Sequence, residues 1–338
     1  MTEKVAAPPS ARPGLISTFV QNRSQGGLVG VAAKYGMLGN LVVLVIVSEA
    51  LYPSFLHWSN IQNLLTQNVP TGLVAVGMTY AIIAGGFDLS AGAITGAACV
   101  VAADLANRGL PVVLVLAGTV GAGLVLGAIN AFIVTKLHVN PFVATLGTSY
   151  LYTGGMAAVL GVNPVQVNST RFTSFGAGSF ASVSYAVWCL LAVLLVAGFV
   201  LARTVYGRSV YAVGGNADAA HLAGTRVDLT RAITYLVTGG CAALAGALLA
   251  ASLSQGEIST GGSALTFNAI IAVVIGGTSL FGGEGAMWRT AVGVLILGVL
   301  TTLFDQLAVN SNWQELVEGA ILILAVALDA FIRRRTTR

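Results

Sequence analysis

Charge is scarce in this chain: Asp, Glu, Lys and Arg together make up 8% of 338 residues, against 56% apolar residues. Soluble globular domains carry about 25% charged residues, so a soluble single-domain protein is excluded. Lysine is scarcer still. The chain has Lys4, Lys34 and Lys136, and none follows a glycine. A phosphate-binding Walker A loop needs Gly-Lys before Ser or Thr, because that lysine reaches the β and γ phosphates, so the chain lacks the sequence of such an ATPase. Cysteine is limited to Cys99, Cys189 and Cys241, each inside an apolar run, where thiols pack as small hydrophobes. No disulfide and no metal site is expected from them. His57, His138 and His221 stand alone, with no partner at metal-ligand spacing. No nucleophile, base and orienting group fall together, and the reading is a protein without catalytic residues. The glycine cluster Gly121 to Gly127 misses the dinucleotide fingerprint by one residue and lies inside an apolar run.

What the chain has instead is hydrocarbon-length apolar sequence. A bilayer core requires about 20 residues of helix, and such runs lie at 37–56, 62–84, 89–106, 111–135, 141–161, 184–202, 231–253, 266–280, 287–309 and 313–332. The fold class expected is an all-α polytopic membrane protein with ten transmembrane helices. Residues 1–36 hold no apolar signal-peptide core and are expected as a polar cytoplasmic leader, 37–332 as the transmembrane domain, and 333–338 as a basic cytoplasmic tail. Basic residues set the orientation. With the N-terminus inside, Arg108 and Arg171 face out, while Lys4, Arg12, Arg23, Lys34, Lys136, Arg203, Arg208, Arg226, Arg231, Arg289, Arg333, Arg334, Arg335 and Arg338 face the cytoplasm. Both termini are therefore expected inside, which requires an even number of spans.

Glycine is abundant, with 42 residues. Gly92 and Gly96, or Gly121, Gly123 and Gly127 before Asn130, place small residues at four-residue spacing, which lets helix backbones approach closely in lipid.

The polar segment 204–230 is the long charged stretch between the two apolar halves, and it is expected on the cytoplasmic side as a docking loop. Asn216 can cap a short helix with Asp218 in its first turn, and Gly224 can end it in the left-handed conformation. A helix of about two turns is unstable alone in water, so flanking spans and a partner surface must hold it. Ala219, Ala220, Leu222 and Ala223 offer an apolar face, and Arg208, Arg226 and Arg231 can reach acidic groups of a partner.

Two further segments read as helix, break, helix. In GGFDLSAG, Gly85 and Gly86 interrupt an apolar run, and Asp88 or Ser90 can cap the helix that follows or serve transport directly. In GGTSLFGGEG, Gly276 and Gly277 end one span, and Gly282 and Gly283 form a turn before the next. Polar residues inside spans are candidates for a translocation pathway or for bonds between helices: Gln67, Asn68, Asn130, Thr145, Thr148 and Asn268, with Thr66 and Ser149 beside them.

Taken in order, GGFDLSAG at 85–92, VNPFVATLGT at 139–148, YGRSVYAVGGNADAAHLAGTRV at 206–227 and FNAIIAVVIGGTSLFGGEG at 267–285 resemble the permease subunits of ribose-type sugar ABC importers. The resemblance runs from about Asn60 to Asp329. It implies a type II importer permease fold in the bacterial inner membrane, working as a pair of permease copies. It also implies a tandem-domain ATPase inside, which uses ATP and Mg, and a periplasmic sugar-binding protein outside; no cofactor and no nucleic acid is implied for this chain. Phe87, Ala91, Asn268 and Glu284 depart from the family's usual residues, and they bear on substrate more than on mechanism.

The function expected is translocation of a monosaccharide, a ribose-like pentose or a hexose. Alternatives are another small polar solute, such as an autoinducer-like furanone or a nucleoside. An ion-coupled carrier would need a buried titratable relay, for which Glu49 and Asp88 are the nearest candidates.

Overall fold

The structure is a computed structural model that describes residues 28–161 and 163–336. The expected leader falls outside the described residues over 1–27, and the tail over 337–338. The elements are almost all helical. They run α1 (Leu28–Leu51), α2 (Trp58–Gln67), α3 (Val69–Ile83), α4 (Ala91–Asn107), α5 (Val112–Thr135), α6 (Pro141–Leu160), α7 (Thr170–Gly176), α8 (Tyr185–Arg203), α9 (Val205–Gly215), α10 (Ala217–Leu222), α11 (Val227–Leu253), α12 (Gly262–Ile275), α13 (Met287–Gln306) and α14 (Ser311–Thr336). Among the described residues, Val112–Thr135, Tyr185–Arg203, Val227–Leu253, Ile258–Ile275 and Met287–Gln306 are long and apolar enough to cross a membrane, and shorter apolar helices lie at Tyr35–Leu51, Val69–Ile83 and Ala91–Asn107.

Helix is the answer lipid demands, since every peptide group must be satisfied within its own segment. The hydroxyls follow the same rule: Thr79, Thr95, Thr135 and Thr238 each donate to the carbonyl four residues earlier. One run expected as a single span, 62–84, is two helices. They are joined at Asn68 (φ −87°, ψ −1°), where Pro70 in the first turn of α3 withholds an amide from α2. Asn68 donates to Leu64 O at 2.8 Å, and Gly298 of α13 leaves room for its side chain.

The interior is built around α11, which packs on α5, α4 and α3. Its buried residues include Ala242, Ala243, Ala245, Gly246, Ala247, Ala250 and Ala251, with Tyr235 and Leu248 the large ones among them. Small residues let helix backbones meet directly, which is how packing holds a bundle where hydrophobic burial gives no drive. Where α5 crosses α11, a side chain on Gly123 or Gly239 would strike the other's carbonyl oxygen. A side chain on Gly92 would likewise strike Gly262 O at the start of α12.

Strand structure is confined to two small pairings. β1 (Val165–Gln166) pairs antiparallel with β4 (Gln255–Gly256), and β2 (Ser179–Phe180) pairs with β3 (Val183–Ser184) across a two-residue turn. Asn107, at the end of α4, locks β1 from both sides: its amide donates to Gln166 O at 2.7 Å, and its carbonyl accepts from Asn168 N at 2.7 Å.

Candidate functional site

The segment 204–230 is more structured than a loop with one short helix. Thr204 caps α9 by accepting from Gly207 N at 3.2 Å. At Asn216 the chain turns sharply (φ −160°, ψ 107°), and the Asn216 side chain accepts from Ala219 N at 2.9 Å to begin α10. Gly224, at φ +85°, closes α10. Its amide bonds to His221 O and that of Thr225 to Ala220 O, both at 2.9 Å, the paired bonds of a Schellman end. Charge suits the dipole, with Asp218 in the first turn of α10 and His221 in the last.

The two faces of α10 differ. Ala220 is 5% exposed and points into the protein, whereas Leu222 is 88% exposed. The expectation of one apolar docking face holding both is corrected: Ala220 is part of the base, and Ala219, Leu222 and Ala223 form the outward face. Asp218, Arg208 and Arg226 are also exposed. Among the described residues the one ion pair is Arg108 with Asp104, at 2.8 Å, so neither Arg208 nor Arg226 has a carboxylate within pairing distance there.

Below α9 lies a junction made of backbone. Gly85 ends α3 at φ +80°, with Gly85 N bonded to Ile82 O and Gly86 N to Ala81 O. Gly277 ends α12 in the same way at φ +82°, and Gly276 is its C-cap. The α12–α13 turn then folds back. Gly282 and Gly283 both have positive φ, and a side chain at Gly282 would lie 2.8 Å from Gly214 O and 3.1 Å from the Gly85 Cα. Gly283 N donates to Ile83 O at 2.9 Å, and Tyr211 donates its hydroxyl to Gly285 O at 2.9 Å. Burial pushes the Tyr211 phenol above its ordinary range, with Arg289 pulling in the opposite direction. Both helix breaks and the C-terminal end of α9 therefore meet at Gly85, Gly214 and Gly282. Tyr211 and Gly214 lie within the 206–227 motif, which does not by itself single out either as a contact. The signal for them was the Gly214–Gly215 pair immediately before the Asn216 cap.

Beyond Gly86 the α3–α4 break holds a buried polar cluster. Asp88 Oδ1 accepts from Ser90 N at 3.0 Å and from the Ser90 hydroxyl at 2.6 Å, and Asn130 of α5 donates to Ser90 Oγ at 2.7 Å. Tyr152 of α6 donates to Asn130 Oδ1 at 3.1 Å. Ser90 occupies the N-cap position of α4, but its hydroxyl makes no capping bond. Other residues hold the amides of that end: Asp88 takes Ser90 N, Thr145 takes Leu89 N at 3.0 Å, and Thr266 of α12 takes Gly92 N at 2.8 Å. Asp88 Oδ2 is buried and has no hydrogen-bond partner among the described residues.

Of the pathway candidates, Asn130, Thr145 and Thr148 are buried and gather at this break. Thr148 donates to Thr145 O at 3.2 Å. Gln67 and Asn68 sit at the other end of α3, Gln67 exposed, and Asn268 is half-buried on α12. Among the described residues there is no group of three or more His, Cys, Asp and Glu side chains that could hold a metal ion.

Residues 60–326 match the family described as branched-chain amino acid transport system, permease component. The ribose import permease protein of Bacillus subtilis is 38% identical over 302 residues, covering 89% of this chain and 94% of that protein. The D-allose transport system permease protein of Escherichia coli is 35% identical over 303 residues, covering 89% and 93%. The L-arabinose ABC transporter permease protein of Azospirillum brasilense is 33% identical over 328 residues, covering 97% and 96%. No solved structure matches the chain. With the matched region running from α2 into α14 and including both helix breaks and the α9–α10 unit, the chain belongs to this family of transport-system permease components.

Proposed function

We propose that the protein is the inner-membrane permease subunit of an ATP-driven importer for a monosaccharide, a pentose or hexose delivered by a periplasmic binding protein. The observation that carries this reading is the α9–α10 unit: an outward tip with Leu222 88% exposed, rooted through Gly214 in the ends of two membrane helices. A tip of that kind receives force from a partner, and its root passes the force to the breaks at Gly85 and Gly282. Energy then comes from a separate tandem-domain ATPase, in keeping with the absence of any Gly-Lys pair in the chain. The sugar relatives named above support the substrate class.

In this reading ten helices span the membrane, α2 and α3 together counting as one span, and both termini are cytoplasmic. Residues 1–36 are a leader, 37–332 the transmembrane domain with the coupling unit at 204–230, and 333–338 the tail. The basic residues Arg203, Arg208, Arg226, Arg231 and Arg289 then share the cytoplasmic side, as the positive-inside rule requires. Two copies of the chain pair to enclose the pathway, and Asn130, Thr145 and Thr148 lie near its cytoplasmic end.

The test is reconstitution of the permease in proteoliposomes with its ATPase and binding protein. Uptake of labelled ribose, allose or arabinose should require ATP and all three components. Uptake driven by a proton or sodium gradient without the ATPase would overturn the proposal in favour of an ion-coupled carrier.

A further inference from the structure

Outside the glycine junction, α8, α9 and α13 enclose an apolar groove of about 450 Å³. Its walls include Leu195 and Phe199 of α8 and Met287 and Trp288 of α13, with Gly198 on α8 and Tyr211 of α9 at the end that meets the junction. Leu195 and Phe199 are 74% and 65% exposed, so the groove opens sideways toward the surroundings of the bundle. Its volume lies in the roughly 300–1,000 Å³ range of small-molecule sites.

None of the residues lining the groove is charged, but Arg289 adjoins the lining Trp288. The Arg289 guanidinium lies 5.6 Å from the centre of the Trp288 ring, and its charge reaches Tyr211. Its Nε is buried without a hydrogen-bond partner, and no carboxylate pairs with Arg289 among the described residues. Arg208 lies one helical turn before Tyr211, on the same side of α9, and is exposed. A half-buried, unneutralised cation beside an open hydrocarbon slot is complementary to a ligand with an acyl tail and an anionic head. Basic pockets between helices on the cytoplasmic side take acidic lipid headgroups for this reason, and a tryptophan at the rim suits the headgroup level.

We propose that the groove between α8, α9 and α13 binds an anionic phospholipid of the cytoplasmic leaflet, its acyl chain along Leu195 and Phe199 and its phosphate at Arg289. Bound there, the lipid touches Tyr211 and Met287 at once, and so bears directly on the helix that roots the coupling unit. The proposal rests on the cytoplasmic placement of α9, which thiol labelling tests separately, so the two failures are distinguishable.

The full-length chain, purified and delipidated, is titrated with phosphatidylglycerol and with phosphatidylcholine of identical acyl chains, and bound lipid is read by native mass spectrometry. Wild type is expected to retain phosphatidylglycerol at concentrations where phosphatidylcholine is lost. Arg289→Gln should abolish that preference. Gly198→Phe, whose Cβ would rest at ordinary contact distance from Met287 and whose ring is sized to fill the slot, should abolish retention of both lipids. Arg171→Gln should leave the preference as in wild type, and matched thermal melting of the variants establishes that each is folded. Equal retention of the two lipids by wild type overturns the proposal. So does a preference that survives in folded Arg289→Gln, or one lost equally in Arg171→Gln.

Discussion

Gly283 donates its amide to the carbonyl oxygen of Ile83 at 2.9 Å, and Gly214 lies so close to that same oxygen that a methyl group on it would overlap the carbonyl. One peptide oxygen at the end of α3 therefore organises three segments that are far apart in sequence. Because the contacts are backbone to backbone, none can yield by a change of rotamer, so a shift of α9 toward α3 must displace the end of α3.

The neighbouring glycines of α9 give a matched pair for testing this. Gly214→Ala forces α9 off Ile83 and should cost about 1–3 kcal/mol, the range for overpacking, with a lower melting temperature and loss of ATP-dependent uptake. Gly215→Ala meets nothing within 4 Å and should melt and transport as wild type. Equal behaviour of the two variants in a detergent melt beside an uptake assay would remove the junction from the mechanism.

The cluster at Asp88 makes a second test. Asn130→Ala removes the donor to Ser90 Oγ and the acceptor of the Tyr152 hydroxyl from a buried cluster, which costs about 1–3 kcal/mol. Melting and uptake should fall together, and Asn130→Asp should be worse, since it sets a second carboxylate beside the Asp88 carboxyl. A loss of uptake with unchanged melting would instead assign the cluster to the solute's path.

Much of the architecture is readable from the residues, because lipid leaves an apolar run little choice but helix. The Asn216 cap and the Gly224 end are likewise local events, set by side chains within a few positions of the bonds they make. The break at Asn68 is not readable by span length, because an apolar window averages across it. α9 hides because its two ends, Thr204 and Gly215, look like loop residues. Spacing also fails to rank glycines: Gly123 abuts Gly239, whereas Gly121, two residues earlier, has nothing within 4 Å of where a side chain would begin. Which face a helix buries is a property of its neighbours, and α10 carries Ala220 against the flanking helices α9 and α11.

Orientation is tested with single cysteines at exposed positions. Ala212→Cys on α9 should be protected from a membrane-impermeant thiol reagent in intact cells and labelled after permeabilisation. Thr170→Cys, at the start of α7, should be labelled in intact cells. The native thiols serve as the blank: Cys99 is buried, and Cys189 and Cys241 are partly so. Labelling of Ala212→Cys from outside would invert the positive-inside assignment and take the coupling unit away from any cytoplasmic ATPase.

The two faces of α10 separate folding from docking. Leu222→Asp changes an outward residue and should leave melting unchanged while abolishing co-purification with the ATPase and solute uptake. Ala220→Glu places a charge against the protein's own interior, so it should lower the melting temperature as well as uptake. Gly224→Val sits between these cases. Its side chain has open space but must adopt φ near +85°, a conformation that costs a β-branched residue about 1–2 kcal/mol or more. Partial fraying of α10, weaker ATPase binding and an intact membrane domain are expected. The measurements are a pull-down, an uptake assay and a melt on each variant. If Leu222→Asp binds the ATPase and transports as wild type, the outward face of α10 is not where the partner docks, and the force that reaches Gly214 must enter elsewhere.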